Sequence, residues 1–193
     1  MFDSTFRAGR RAMQAGFTLV ELCIALAMAG ILVAVAMPAM ASFHARTAVA
    51  AQANGLMSAL RLAKQEAMAR GELVSVCALD PATADSPEPA CLPSGRDWSA
   101  GWVVFIDRGQ RGDIGEGDRV VSVHQAGDNK GGALGTLRYV TFRPAGAMLS
   151  IASHFRFLPP GEPLDDVAVE GSALVCVNKT GRPRLTDSDD CEG

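Results

Sequence analysis

Three groups of residues in this chain carry side chains that could do chemistry. Glu21 is a lone carboxylate at the mouth of an apolar run, since nothing between Leu22 and Met37 is charged. A carboxylate inside an apolar membrane helix costs on the order of 2.5 kcal/mol or more, so Glu21 calls for a cationic partner. Near the other end, Lys179-Thr180-Gly181-Arg182-Pro183-Arg184 gathers three cations in six residues. Gly181 permits a tight turn and Pro183 stiffens the segment, which holds the guanidiniums outward, and guanidinium forks match phosphate oxygens. The third group is the cysteines: Cys23 in the apolar run, and Cys77, Cys91, Cys176 and Cys191 beyond it.

Other chemistries lack their residues. The sequence has no nucleophile elbow, P-loop, dinucleotide fingerprint or H-E-x-x-H, so no catalytic residue and no cofactor are expected. Asp107-Arg108-Gly109-Gln110-Arg111-Gly112-Asp113, followed by Glu116 and Asp118, clusters acids among glycines. It lacks the alternating oxygen ligands of a calcium loop, and Arg108 and Arg111 stand where oxygen donors would be needed. A hairpin loop is the reading preferred. The cysteines are too widely spaced for a zinc site, and His44, His124 and His154 are remote from them, so no metal is expected.

The elements that must position these groups follow from the hydrophobic pattern. Phe17 to Met37, as one helix of about 1.5 Å per residue, spans roughly 30 Å, the thickness of bilayer hydrocarbon. Arg7, Arg10 and Arg11 precede it and keep the amino terminus cytoplasmic, which exports the rest. A secretory signal peptide cut near Ala34-Val35-Ala36 is the alternative, but its apolar region would include Glu21 and exceed the usual length of about 15. A plain single-span anchor would share the topology. The helix should continue, because Val49, Ala53, Leu56, Leu60, Ala63 and Ala67 recur at spacings of three and four. Pro38 predicts a kink, Asn54-Gly55 disfavours a helix interior unless a sheet packs there, and Gly71 predicts the stop. Strands are predicted at Leu73 to Leu79, Trp102 to Asp107, Arg119 to Gln125, Leu137 to Arg143, Ala147 to Ala152, Phe155 to Leu158 and Ser172 to Asn178. The fold class is α+β, a long helix packed on an antiparallel β-sheet.

Gly16-Phe17-Thr18-Leu19-Val20-Glu21 after a short basic leader resembles the signal of type IV pilins and type II secretion pseudopilins. Arg61 to Arg70, and the W-x-x-G-W-x-V-F-x-D element from Trp98 to Asp107, resemble the GspH/FimT branch of minor pseudopilins and minor pilins. The resemblance implies a leader at 1–16, cleavage after Gly16 by a prepilin peptidase, and methylation of Phe17. It implies a transmembrane assembly helix at 17–40, an amphipathic helix at 41–71 and a periplasmic head at 72–193, together in a lollipop-shaped pilin-like fold. Glu21 then neutralises the amino terminus of a neighbouring subunit. The implied partners are other pilins or pseudopilins and an inner-membrane assembly platform, first in the inner membrane and then in a pilus or pseudopilus. Trp98 and Trp102 are expected to pack in the core.

Four cysteines in an exported head suggest two disulfides. Three pairings are open, and local closure favours Cys77 with Cys91 and Cys176 with Cys191. Cys23 should be a small buried hydrophobe. The Gly181 to Arg184 element resembles the G-R-x-R motif of FimT-type minor pilins, some of which bind DNA, and implies phosphate contacts by Lys179, Arg182 and Arg184. Against this, Asp187, Asp189, Asp190 and Glu192 follow at once, and the net charge of −3 grows more negative when residues 1–16 leave. Two readings stay open: a solvated turn beside an acidic tail, or a phosphate contact that Arg138, Arg143 and Arg156 extend.

Overall fold

The computed structural model describes residues 18–127, 131–165, 167–186 and 190–191, with the side chains at 35–39 and 41 outside that description. The leader, Gly16 and Phe17 lie outside the described residues. The chain divides into two compact units, Met1–Ala41 and Ser42–Gly193. The boundary falls within the helix α1, Leu19–Arg70, a continuous helix as the sequence leads one to expect.

In the first unit Thr18 caps the helix. Its Oγ1 accepts from the Glu21 N–H at 3.2 Å and its carbonyl from the Leu22 N–H at 3.1 Å. From Leu19 to Val33 the large apolar side chains are 51% to 80% exposed. An apolar surface on all sides of a helix is the pattern of one that other molecules cover. Cys23, expected to be buried, is a free and exposed thiol like its neighbours in the single chain. Among the described residues no helix is long and apolar enough to cross a membrane. The kink expected at Pro38 concerns a side chain outside the description.

The second unit is built on the outer half of α1. Val49, Ala53, Leu56, Leu60, Ala63 and Ala67 are all buried, because the three-four spacing puts them on one face. Gly55 is accommodated here: a Cβ at this position would lie 3.2 Å from Trp102 Cζ2, so the missing side chain makes room for an indole. Gly71, at φ +70°, ends the helix with its N–H on the Ala67 carbonyl.

Eight strands follow: β1 Val74–Ala78, β2 Gly101–Ile106, β3 Arg119–Gln125, β4 Ala133–Gly135, β5 Tyr139–Phe142, β6 Ser153–Phe157, β7 Ala173–Val177 and β8 Pro183–Thr186. They form two antiparallel sheets, ordered β3-β2-β1-β5 and β4-β6-β7-β8. Alternation along β1 and β2 gives Val74, Val76, Val104 and Ile106 to a core shared with α1 and with Phe155, Phe157, Val175 and Val177 of the second sheet. The other face of the first sheet buries Cys77, Val103 and Phe105 beneath Leu79 and Cys91. Trp98 sits beside both sheets, donating Nε1–H to the Leu137 carbonyl at 2.9 Å and meeting Phe155 edge-on at 4.8 Å. Its packing is that of a core residue.

The expected strand at Ala147 to Ala152 does not form. After the Gly146 turn the chain touches β5 through the Phe142–Met148 bridge and the Leu149 N–H to Thr141 carbonyl bond, then leaves. Two strands had no clear signal. β4 is three residues long beside Gly131 and Gly132, and β8 begins at a proline, which a strand tolerates at its first residue.

Residues 107–118 connect β2 to β3, and two of their carboxylates, Asp118 and Asp107, accept hydrogen bonds from the loop's own backbone. Asp118 accepts from the N–H groups of Arg108, Gly109 and Gly115 at 2.7 to 3.1 Å, and Asp107 from the Gly112 N–H at 3.1 Å and the Ser75 hydroxyl at 2.5 Å. Among the described residues no group of three or more His, Cys, Asp or Glu side chains is placed to hold a metal.

Candidate functional site

The segment from Lys179 to Arg184 spans a hairpin turn and the start of a strand, where the sequence suggested a turn alone. Asn178 organises the turn. Its side-chain oxygen accepts from the Thr180 hydroxyl at 2.7 Å and the Arg182 N–H at 3.0 Å, and its carbonyl from the Gly181 N–H at 2.8 Å. Gly181 has φ +69°, and a Cβ there would lie 2.8 Å from the Gly146 carbonyl oxygen and from Phe142 Cε1. Only glycine combines that backbone with so close an approach.

Beyond the turn, Pro183 starts β8 opposite Val177, and Arg184 stands opposite Cys176, which in turn faces His154 on β6. Residues two apart on a strand share a face. Arg182 and Arg184 accordingly line one cavity of about 270 Å³ with Ser153, His154 and Asn178, closed on one side by Cys191. Both arginines and Lys179 are exposed.

The tail is held against this cavity. Cys176 and Cys191 form a disulfide with Cα atoms 5.6 Å apart, and an Arg184 Nη2–H donates to the Cys191 carbonyl. Arg184 is therefore engaged by the chain's own backbone. Asp187, Asp189 and Glu192 lie outside the described residues. The second disulfide joins Cys77 to Cys91 across the loop over the first sheet.

The three further arginines separate cleanly. Arg138 is structural: it forms a bidentate pair with Asp113 at 2.6 and 2.9 Å, donates to the Leu92 and Gly112 carbonyls and stacks 5.1 Å from the Tyr139 ring centre. Hydrogen bonding from Arg138 holds the Asp113 carboxyl below its usual value of 3.8. Arg156 is 5% exposed. Arg143 alone of the three is exposed, in the turn that closes with the Gly146 N–H on the Arg143 carbonyl at 2.8 Å.

Glu21 occupies the third position after its cap, in the first turn of α1. The T-x-x-E spacing of Thr18 and Glu21 was a readable capping signal. Asn178 was likewise a readable turn former. The Asp113–Arg138 pair, 25 residues apart, had no local signal.

Residues 52–181 match the family described as "Type II transport protein GspH", and residues 11–37 match the prokaryotic N-terminal methylation motif. Two crystal structures of the Pseudomonas aeruginosa (strain PAO1) type IV minor pilin FimU are similar. The one in space group P21 has 18% identity and a TM-score of 0.56 over 77% of this chain and 95% of that chain. The one in P65 has 17% identity and a TM-score of 0.50 over 72% and 94%. At these identities the likeness is one of fold. Curated protein sequences give no significant match.

Proposed function

The chain belongs to the GspH family of type IV pilin-like proteins, and from that premise we propose that it is a minor pilin of a type IV filament. A prepilin peptidase removes residues 1–16 after Gly16, and Phe17 becomes the methylated amino terminus. Segment 17–40 crosses the inner membrane once with its amino end cytoplasmic, and the head at 72–193 is periplasmic. The assembly platform then moves the subunit into the filament, where Glu21 neutralises the amino terminus of a neighbour.

The observation that carries this reading is the apolar girdle from Leu19 to Val33, exposed on every side of the single chain. Lipid or neighbouring helices would cover it. Mass spectrometry of the full-length chain purified from membranes tests the processing: the expected mature chain begins at methylated Phe17, and any other start overturns it. A Glu21→Val variant should be cleaved normally yet be absent from sheared filaments.

A second role is favoured by one observation, that Arg182 and Arg184 line a single cavity beside exposed Lys179. These three cations suit the phosphates of DNA, with contacts to the backbone and none to base edges. The competing assignment is a type II secretion pseudopilin with no DNA-binding role. Full-length protein in dodecyl maltoside micelles, titrated with labelled duplex at two salt concentrations, decides between them. Salt-dependent binding lost on Arg182→Ala with Arg184→Ala supports the DNA role; negligible binding by the parent chain removes it.

A further inference from the structure

Resting on the DNA reading of the β7–β8 turn, we propose that the phosphate-binding surface is a composite patch in which Arg143 is a direct contact alongside Lys179 and Arg182, with Lys64 holding the turns together from α1. Three separate elements meet at this end of the head. Lys64 Nζ donates to the Thr180 carbonyl at 2.7 Å, which ties the helix to the β7–β8 turn. A Cβ on Gly146 would lie 2.8 Å from Met68 Sδ and 3.1 Å from Lys64 Cε, so the 143–146 turn rests on the same helix end. The two turns also touch directly. The Met148 N–H donates to the Lys179 carbonyl at 3.0 Å, and Gly181 sits against the Gly146 carbonyl and the Phe142 ring.

Phe142 is buried in the core, and Arg143, the next residue, is exposed. Arg143 opens the 143–146 turn whose Gly146 carbonyl meets Gly181, so its exposed side chain starts from the turn that abuts the one presenting Arg182. Among the described residues no ion pair engages Arg143, Lys179 or Arg182, whereas Arg138 is committed to Asp113. Cations held on rigidly abutting turns give a local positive surface on a chain whose net charge is −3. A phosphate backbone, charged along its whole length, is the ligand whose spacing can engage several such groups at once.

The test is the salt dependence of duplex binding by the full-length chain in dodecyl maltoside micelles. Each phosphate contact contributes about 0.9 to the slope of log affinity against log salt. Arg143→Ala should lower the slope by about that amount and weaken binding several-fold at low salt, and Arg143→Lys should restore most of the slope. Arg119→Ala, removing an exposed charge on the far edge strand of the first sheet, should leave it unchanged. If Arg143→Ala behaves like Arg119→Ala while Arg182→Ala lowers the slope, the composite patch is wrong and the hairpin reading stands. If the parent chain shows no salt-dependent binding, both fall.

Discussion

The indole of Trp102 lies nearly parallel to the imidazole of His124, with ring centres 4.1 Å apart and 13° between the planes. A Cβ on Gly55 of α1 would lie 3.2 Å from the indole and 3.7 Å from His124 Cε1, so the helix approaches both rings. Trp102 thus links α1 to the edge strand β3.

Burial lowers the His124 pKa from its usual 6.5, because desolvation penalises the charged ring. Above 6.5 both folded and unfolded chains hold the ring neutral. As pH falls through 6.5, the unfolded chain takes up the proton first, so stability declines with acidification. Urea unfolding above and below that pH should show the decline, and His124→Phe should flatten this part of the profile. A profile unchanged by His124→Phe counts against the stack as its source.

Gly55 is a packing glycine. Gly55→Leu should cost about 1–3 kcal/mol by driving a side chain into Trp102. Gly55→Ala sets a helix gain of about 1 kcal/mol against a 3.2 Å contact and should stay near neutral. Chemical denaturation of the two variants measures both, with quenching or release of Trp102 fluorescence marking the local disturbance.

Gly181→Ala should be far more damaging than its size suggests. It places a side chain at φ +69° and 2.8 Å from a backbone carbonyl that cannot rotate away. A loss of about 1–3 kcal/mol is expected, with a shift of the Asn178 and Arg182 amide resonances. Normal stability and an unchanged spectrum would show that the turn relaxes freely.

The disulfides close sequence separations of 14 and 15 residues, so each should contribute roughly 3 kcal/mol. Their local effects differ. Replacing Cys77 and Cys91 by serine opens the cover over Val103 and Phe105 and should speed proteolysis of that loop. Replacing Cys176 and Cys191 frees the carbonyl that Arg184 engages and should loosen the tail while sparing the first sheet. Limited proteolysis followed by mass mapping separates the two.

Much of the fold was legible because its signals are local. The spacing from Val49 to Ala67 identified the buried face of α1, and β3 runs over the residues whose pattern suggested it. The remainder depends on contacts between distant residues. Gly55 disfavours a helix until an indole from β2 needs the space. β8 starts at a proline that local rules read as part of a turn, and it pairs because β7 and the Cys191 link bring it alongside. At the candidate site, the cation types were evident, but sorting Arg143 from Arg138 required seeing that Asp113 reaches across 25 residues to take one of them.

Under the proposed cleavage after Gly16, Thr18 stays with the mature chain, and so do the hydrogen bonds that begin α1. Maturation would then alter the charge at the helix start without requiring its first turn to be rebuilt. The liberated ammonium would stand at the positive pole of the helix dipole, an unfavourable place for a cation. A newly matured subunit would be electrostatically primed to seek a carboxylate from outside, and in the proposed filament Glu21 would offer the same relief to the next arrival.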